Sequence, residues 1–414
     1  MSSAIFDDGY RIVSFKHTYD RVMPVMGNLG LVTINDLTDY ESLSIPVYAI
    51  ERTTEDGRVE VISYGKGISS TQSKVSAMME AIERHTANLL PSTIIYETYI
   101  EMKKRNNVVI PDGEADIVGD VLIGWLPGKD ILAQSEVWVP ACDVLLSGEV
   151  SSHRQVDIRT TNGLASGNIV EEAVCHSLYE LIERDAWTLA WLDSVTVPQM
   201  RHMAWGIRAG DIPEWNNSFS PQSDMIPIIN NDSLPHLAKS LIEKFIKSGI
   251  SIVVRNITSD IGIPTIIVAG CDNSTFFYGT GTHLNSNIAL MRAITECAQS
   301  RQAIMKLDQV LDDTSLHIQK IKRDLLFHSS PIIQFDALPN YSIGDTILEI
   351  EIILSHLLKV GLDKVVVVDI THPGLGIPVV RTLIPGVETW STFGFSPSCF
   401  RLGYRGQNYL MQQI

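Results

Sequence analysis

The stretches SYGKGISSTQSKVSAMMEAIERH (63–85) and TNGLASGNIVEEAVCHSLYELIERD (161–185) both close on Glu-x-x-Glu-Arg, and a shift of 100 positions brings them into register. Gly67 then falls on Gly167, Glu80 on Glu180, Ile82 on Ile182, Glu83 on Glu183 and Arg84 on Arg184. A third stretch, YGTGTHLNSNIALMRAITECAQSRQ (278–302), aligns at a shift of 216, with Glu296 over Glu80 and Gln299 over Glu83. Repetition of this kind marks one supersecondary unit used three times. Each copy opens on Gly, Ser, Thr or Asn and continues with helical periodicity, so three turn-then-helix units are expected. Their helices should start near Ser70–Ser73, Asn168 and Asn285–Asn287. Asn168 and Glu171 have the spacing of a capping box.

Outside the repeats, short β-branched runs alternate with longer helical patterns: IPVYAIER (45–52), SIVVRNIT (251–258), IPTIIVAG (263–270) and DKVVVVDIT (363–371). That mixture reads as α/β or α+β. The polar stretch 207–235 is the expected long loop or insertion, and no Gly/Ser or Pro linker separates two folding units.

The totals narrow the function. With 414 residues and 45% hydrophobic content the chain can build a substantial core. Forty-eight acids against 32 Lys and Arg give a net charge of −16, spread along the chain, so the basic face that nucleic-acid binding relies on is missing. Five cysteines without a CxxC pair argue against a disulfide framework or a zinc site. No apolar run reaches the ~20 residues of a membrane span and no secretory leader opens the sequence, so a cytoplasmic protein is expected.

At about 100° per residue, Val75, Met78, Met79 and Ile82 form one apolar stripe, repeated as Cys175, Leu178, Tyr179 and Ile182 in the second helix. Beside the stripes lie Gln72, Ser76, Glu80 and Glu83 in the first unit, Glu172, His176, Glu180 and Glu183 in the second, and Arg292, Glu296 and Gln299 in the third. A flank that borders the core predicts partial burial at a helix-helix seam. Two unit charges ~4 Å apart repel by roughly 4 kcal/mol at an effective dielectric near 20, so clustered carboxylates there need protons or cations. Oxygen-only ligands select Mg2+ over zinc, and Mg2+ completes its shell with water and substrate phosphates. The pattern therefore implies a nucleoside triphosphate.

The turns suit that ligand. GKG (65–67) and SGN (166–168) can offer backbone N–H groups and a helix N-terminus to an anion, and Lys66 adds charge. GKG matches no GxxxxGK[ST] loop, and alone it reads equally well as a tight turn with a solvated lysine. Arg84, Arg184 and Arg292 are each a phosphate contact or a partner for a nearby glutamate. His176 is expected to be a packed histidine, and Cys175 and Cys297 small apolar residues.

GKG followed by SAMMEAIER, then GLASGNIVEEAVCHSLYELIERDA, GTGTHLNSNIALMRAITECAQSR and DITHPGLGIPVVRTLIPG (369–386), resembles in content and order the YcaO family of ATP-dependent peptide-backbone-modifying enzymes, over about residues 40 to 390. The resemblance implies an α+β fold of three turn-helix units packed on β-sheet, with nucleotide bound between the carboxylate-bearing helices. It implies an N-terminal segment 1–58, a catalytic domain 59–395 and a tail 396–414. It also implies Mg2+ on Glu80, Glu83, Glu180 and Glu183, and ATP among Lys66, Ser69, Glu80, Asn168, Glu172, Arg184, Arg292 and Glu296. Lys16 matches an early lysine that faces the nucleotide in some relatives, and Ala165 and Ser166 fill the turn before the family's Gly-Asn.

Family chemistry is phosphorylation of a backbone amide oxygen by ATP, which makes that oxygen expellable after a nucleophile adds. A neighbouring Cys, Ser or Thr then gives an azoline, and external sulfide gives a thioamide. Azoline-forming members often end in a PxPxP tail, whereas this chain ends RLGYRGQNYLMQQI with no proline after Pro397. GLVTINDLTDYESLSIPVYAIER and TQSKVSAMMEAIERHTA look most like archaeal members that thioamidate a glycine of the methyl-coenzyme M reductase alpha subunit, working with a TfuA-like partner or inorganic sulfide. A homodimer is what relatives suggest. The rival expectations are an azoline-forming cyclodehydratase and a nucleotide-binding scaffold without turnover.

Overall fold

A computed structural model describes residues 5–6, 9–10, 12–30, 32–38, 43–53, 58–111, 121–150, 159–196, 226–272, 275–307 and 313–388. The expected loop 207–235 falls outside them up to residue 225, as does the tail 396–414. The chain divides into two compact units: Met1–Asp39, Ile45–Leu181 and Ser342–Gly386 form the first, and Tyr40–Ser44, Ile182–Tyr341 and Val387–Ile414 the second.

The first unit begins with a two-residue pair, β1 (Ile5–Phe6) and β2 (Gly9–Tyr10), and helix α1 (Phe15–Val22), whose N-cap Ser14 accepts from the His17 N–H. Strands β3 (Val32–Asp36), β4 (Val47–Thr53) and β5 (Val59–Lys66) make an antiparallel sheet in that order, and α2 (Ser70–Ala87) packs on β4 and β5. The chain continues through β6 (Ile95–Thr98), α3 (Tyr99–Arg105), β7 (Leu122–Asp130), β8 (Ser135–Pro140), α4 (Ala141–Val144) and β9 (Leu164–Ser166) into α5 (Val170–Trp191). That long helix carries the chain from the first unit into the second.

The second unit adds β10 (Ile228–Ile229), α6 (His236–Lys247), β11 (Ser251–Asn256), β12 (Thr265–Cys271), β13 (Phe276–Thr282), α7 (Ser286–Leu307), α8 (Asp313–Phe327) and β14 (Ile332–Ile333). Its sheet runs β13-β12-β11-β10-β14, antiparallel except for β10 with β14. Trp187 and Trp191 of α5, Leu325 and Leu326 of α8, and Ile267, Ala269 and Phe276 share one core. The buried Arg255 guanidinium ties the end of α8 to this sheet, donating to the carbonyls of Leu326 and Ile226 at 2.5 and 2.6 Å and to that of His328. Burial pulls its pKa down to about 10. The chain then returns to the first unit as α9 (Thr346–Lys359), β15 (Val366–Asp369) and β16 (Val379–Leu383), completing an antiparallel sheet β6-β7-β15-β16-β9 with β8 on β7.

The fold is the expected mixture of helix and antiparallel sheet, and all four β-branched runs contain strands. The repeat is geometrical as well as textual. An added Cβ on Gly65 of β5 would lie 1.9 Å from the Ser73 carbonyl oxygen and 2.4 Å from Ala77 N; on Gly281 of β13 it would lie 2.1 Å from the Ala289 oxygen and 2.7 Å from Ala293 N. These are the same contacts displaced by 216 positions. In both, strand and helix backbones approach too closely for any side chain, so glycine is required by contact. The second copy of the repeat keeps the scheme with other atoms, as Ser177 Oγ of α5 donates to the Gly163 carbonyl at 2.7 Å.

One local expectation fails. Ser69 caps α2, accepting from Gln72 N at 3.2 Å, and α7 starts at Ser286 as expected, but α5 starts at Val170 and Asn168 does not cap it. Its N–H and side-chain amide both donate to Glu172, at 2.8 and 2.9 Å, in place of the capping box with Glu171. The first unit does the same with Gln72, whose side-chain oxygen accepts from Ile68 N at 2.7 Å.

Gly65→Ala should lower stability by about 2 kcal/mol or more, an overpacking penalty against rigid backbone. Gly27→Ala, where an added Cβ meets nothing within 4 Å, is the control and should melt near the parent. Equal melting of the two variants would contradict the contact.

Candidate active site

In the first unit Glu83 and Glu180 accept from neutral donors at the end of a strand and in a turn. Glu83 Oε1 on α2 accepts from Ser166 N at 2.8 Å and Ser166 Oγ at 2.6 Å, where β9 ends. Glu180 Oε2 on α5 accepts from Gly163 N at 3.0 Å. Glu80 takes the Arg84 guanidinium one turn on, at 2.7 Å. Burial raises the Glu80 pKa against the opposing pull of Arg84 and Lys66. Burial likewise pushes Glu83 up to about 8; the hydrogen bonds from Ser166 resist, and the nearby Glu80 and Glu180 charges add to the rise. Glu83 thus holds a proton at neutral pH unless a cation takes its place.

The turn before α5 is built from three segments. Thr18 Oγ1 donates to Asn168 Oδ1 at 3.2 Å, and Arg21 of α1 donates to the carbonyls of Asn168 and Gly376 at 2.6 and 2.7 Å. Asn168 and Glu172, both expected site residues, are therefore joined to each other and anchored by a helix more than 140 positions earlier. On β16, the buried Arg381 donates to the Thr160 carbonyl at 2.8 Å, while its Nε and Nη1 find no hydrogen-bond partner. Burial draws its pKa down to about 10, opposed by the charges of Glu180 and Asp143. This guanidinium sits inside the protein as a counter-charge to Glu180.

In the second unit Glu183, only 4% exposed, accepts from Thr280 Oγ1 at 2.8 Å, and Glu296 Oε1 lies 3.3 Å from that same hydroxyl. Arg184 Nη1 is 3.7 Å from Glu183. Buried His283, where the third turn begins, accepts from Asn285 N through Nδ1 at 2.9 Å. Burial and the Arg292 charge push its pKa down to about 3, so it is a neutral imidazole with its proton on Nε2.

Most expected site residues are thus gathered into two sets, one per unit. Lys66 acts on Glu80, Ser69 caps α2, and Arg84 is a glutamate partner. Lys16 pairs with Asp20 on the exposed side of α1, and the neighbouring Thr18 and Arg21 make the contacts to the site turn. Cys175 and Cys297 are buried, and burial beside Glu296 raises the Cys297 pKa well above that of a free thiol, as small apolar residues would show. Among the described residues no three His, Cys, Asp or Glu side chains form a ready-made metal cage. The donors fit a hard cation that brings its own water and phosphate ligands, since every candidate ligand is a carboxylate oxygen. Sequence reasoning passed over Thr280, Gly163, Arg21 and Arg381. A threonine between two glycines in YGTGT is the one readable signal among them.

The Glu83 shift fixes a pH dependence. An unfolded carboxyl loses its proton near 4.5 and the folded one near 8, so between these values the folded chain binds the extra proton and rising pH favours unfolding. In Mg2+- and nucleotide-free buffer, Glu83→Gln should be more stable than the parent at pH 8, by about 1 kcal/mol or more, with the difference vanishing near pH 5. A variant no more stable than the parent at pH 8, judged by thermal melts, would contradict the shift.

A family model described as YcaO cyclodehydratase, ATP- and Mg2+-binding, matches residues 64–388. An uncharacterized protein of Methanothermobacter thermautotrophicus is 31% identical over 387 residues, 88% of this chain and 91% of its own. An uncharacterized protein in the tfuA 3′ region of Rhizobium leguminosarum bv. trifolii is 30% identical over 430 residues, covering 98% and 94%. The structure of YcaO from Methanopyrus kandleri bound with AMPPCP and Mg2+ superposes with a TM-score of 0.73 at 20% identity, over 96% of this chain and 99% of that one. A heterocyclase in complex with substrate and cofactor gives 0.69 at 20% identity, over 97% of this chain and 56% of its own, and at such identity both establish the fold alone. The family match spans most of the chain and contains every expected site residue except Lys16, and on that ground the chain belongs to the YcaO family, whose ATP and Mg2+ are the cofactors the carboxylate pattern calls for.

Proposed function

We propose that this protein uses ATP to phosphorylate a peptide-backbone amide oxygen and exchanges that oxygen for sulfide, forming a thioamide, with a glycine of the methyl-coenzyme M reductase alpha subunit as substrate. The observation that carries the ATP chemistry is the set of carboxylates held by uncharged donors, Glu83 at Ser166, Glu180 at Gly163 and Glu183 at Thr280, within a family described as ATP- and Mg2+-binding. Glu80, Glu83, Glu180 and Glu183 are the assigned Mg2+ ligands. Lys66, Ser69, Glu80, Asn168, Glu172, Arg184, Arg292 and Glu296 are the assigned ATP contacts.

When bound, Mg-nucleotide supplies the phosphoryl group that turns an amide oxygen into a leaving group. The chain's residues hold and orient it. Neutral donors position Glu83, Glu180 and Glu183, whose carboxylates would hold the cation and through it act on the transferring phosphoryl group. Glu83 would hold the cation as a carboxylate, its proton released to solvent. His283 remains neutral and so adds no charge beside Arg292. The balance is amide, ATP and hydrosulfide in; thioamide, ADP and phosphate out.

The thioamide reading is supported by the relative encoded in a tfuA 3′ region, which also favours a TfuA-like partner for sulfur delivery. The heterocyclase neighbour favours an azoline product as the second reading. Incubation with ATP, Mg2+, sulfide and a glycine-containing segment of the reductase alpha subunit, followed by mass measurement, separates them. Replacement of oxygen by sulfur supports the thioamide, loss of one water from a Cys- or Ser-containing peptide supports the azoline, and an unchanged peptide contradicts both.

Glu83→Gln and Glu183→Gln should each lower ATP turnover by about 100-fold or more while leaving the circular dichroism spectrum unchanged. Undiminished turnover in both variants would refute the metal assignment.

A further inference from the structure

Among the described residues β13 is an edge strand of the second unit's sheet. Added Cβ atoms on Gly279 and Gly281 would run into α7, at 2.2 Å from Cys297 N and 2.1 Å from the Ala289 oxygen, so those residues face α7. Thr280 lies between them, and by the alternation of the strand it faces the other way. That is the face on which Trp187 of α5 meets Tyr278, with ring centroids 5.7 Å apart. The Thr280 hydroxyl therefore stands where Glu183, from the helix on its own face, and Glu296, from the helix behind the edge, both reach it, at 2.8 and 3.3 Å. The residue is 1% exposed.

A hydroxyl has one proton to give. That proton can be shared as a three-centre bond, the shorter arm to Glu183 and the longer to Glu296, so one hydroxyl tethers both carboxylates. A threonine here cannot neutralise the pair; what it can do is fix where the two carboxyl groups stand. We infer that Thr280 is a positioning residue that holds Glu183 and Glu296 at a set separation for the Mg-nucleotide, an inference that rests on the ATP and Mg2+ reading above. Neither glutamate needs to be recruited from solvent when the cation arrives, and the helices that carry them are locked to one strand.

The test compares Thr280→Val, which keeps shape and loses the hydroxyl, with Thr280→Ser, which keeps the hydroxyl. Thr280→Cys, of similar size with a far weaker donor, guards against a misfolding valine variant. The Mg2+ concentration giving half-maximal binding of a fluorescent non-hydrolysable ATP analogue, and with it that giving half-maximal ATP turnover, should rise about tenfold in the Val and Cys variants and stay within about threefold of the parent in the Ser variant. Turnover at saturating Mg2+ should fall much less than affinity, a split that a packing defect would not produce. Val and Cys variants with the parent's Mg2+ dependence, alongside an inactive Glu183→Gln, would overturn the role of Thr280 and leave the ATP reading standing. A parent protein without Mg2+-dependent turnover would overturn both.

Discussion

Carboxylates that crowd together must be held by something that does not cancel them. Here the holders are hydroxyls and backbone amides: Ser166 for Glu83, Gly163 N for Glu180, Thr280 for Glu183. A lysine or arginine in each of those places would bind more strongly and spend the charge the site exists to present. Where cations do appear, Arg84 takes Glu80, Arg184 stands 3.7 Å from Glu183, and Arg381 acts on Glu180 at a distance. Burial weighs most clearly on Glu83, whose pKa it pushes up to about 8, so that this carboxyl is accommodated with a proton or a cation.

The scaffold that allows this is repeated backbone contact between strand and helix. Gly65 lets α2 lie directly on β5, and Gly281 lets α7 lie directly on β13, the strand whose Thr280 reaches Glu296 of that helix. Stability and site geometry are therefore the same feature. Loosening the glycine contact would move the glutamates as well as lower the melting temperature.

Much of this was legible in the sequence because repetition exposes it. The registers of 100 and 216 positions located the helices, their carboxylates and the glycine turns, and oxygen-only ligands pointed to Mg2+ without knowledge of the fold. What escaped detection depends on contacts between distant positions. Arg21 reaching Asn168 across 147 positions has no local pattern, and Thr280 reads as an ordinary strand residue until α5 and α7 are placed around it. Asn168 was misassigned as a cap because a tertiary bond from Thr18 and a local one to Glu172, at i+4 instead of the capping-box i+3, took its side chain.

The central claim is that these glutamates are there to hold divalent metal for a nucleotide. The most direct test is anomalous diffraction from crystals grown with Mn2+ in place of Mg2+ and a non-hydrolysable ATP analogue. The account predicts manganese peaks ligated by carboxylate oxygens of the α2 and α5 glutamates, with the remaining ligands from phosphate and water. Manganese elsewhere or absent, with Glu83 still on Ser166 and Glu183 still on Thr280 while the analogue is bound, would contradict it.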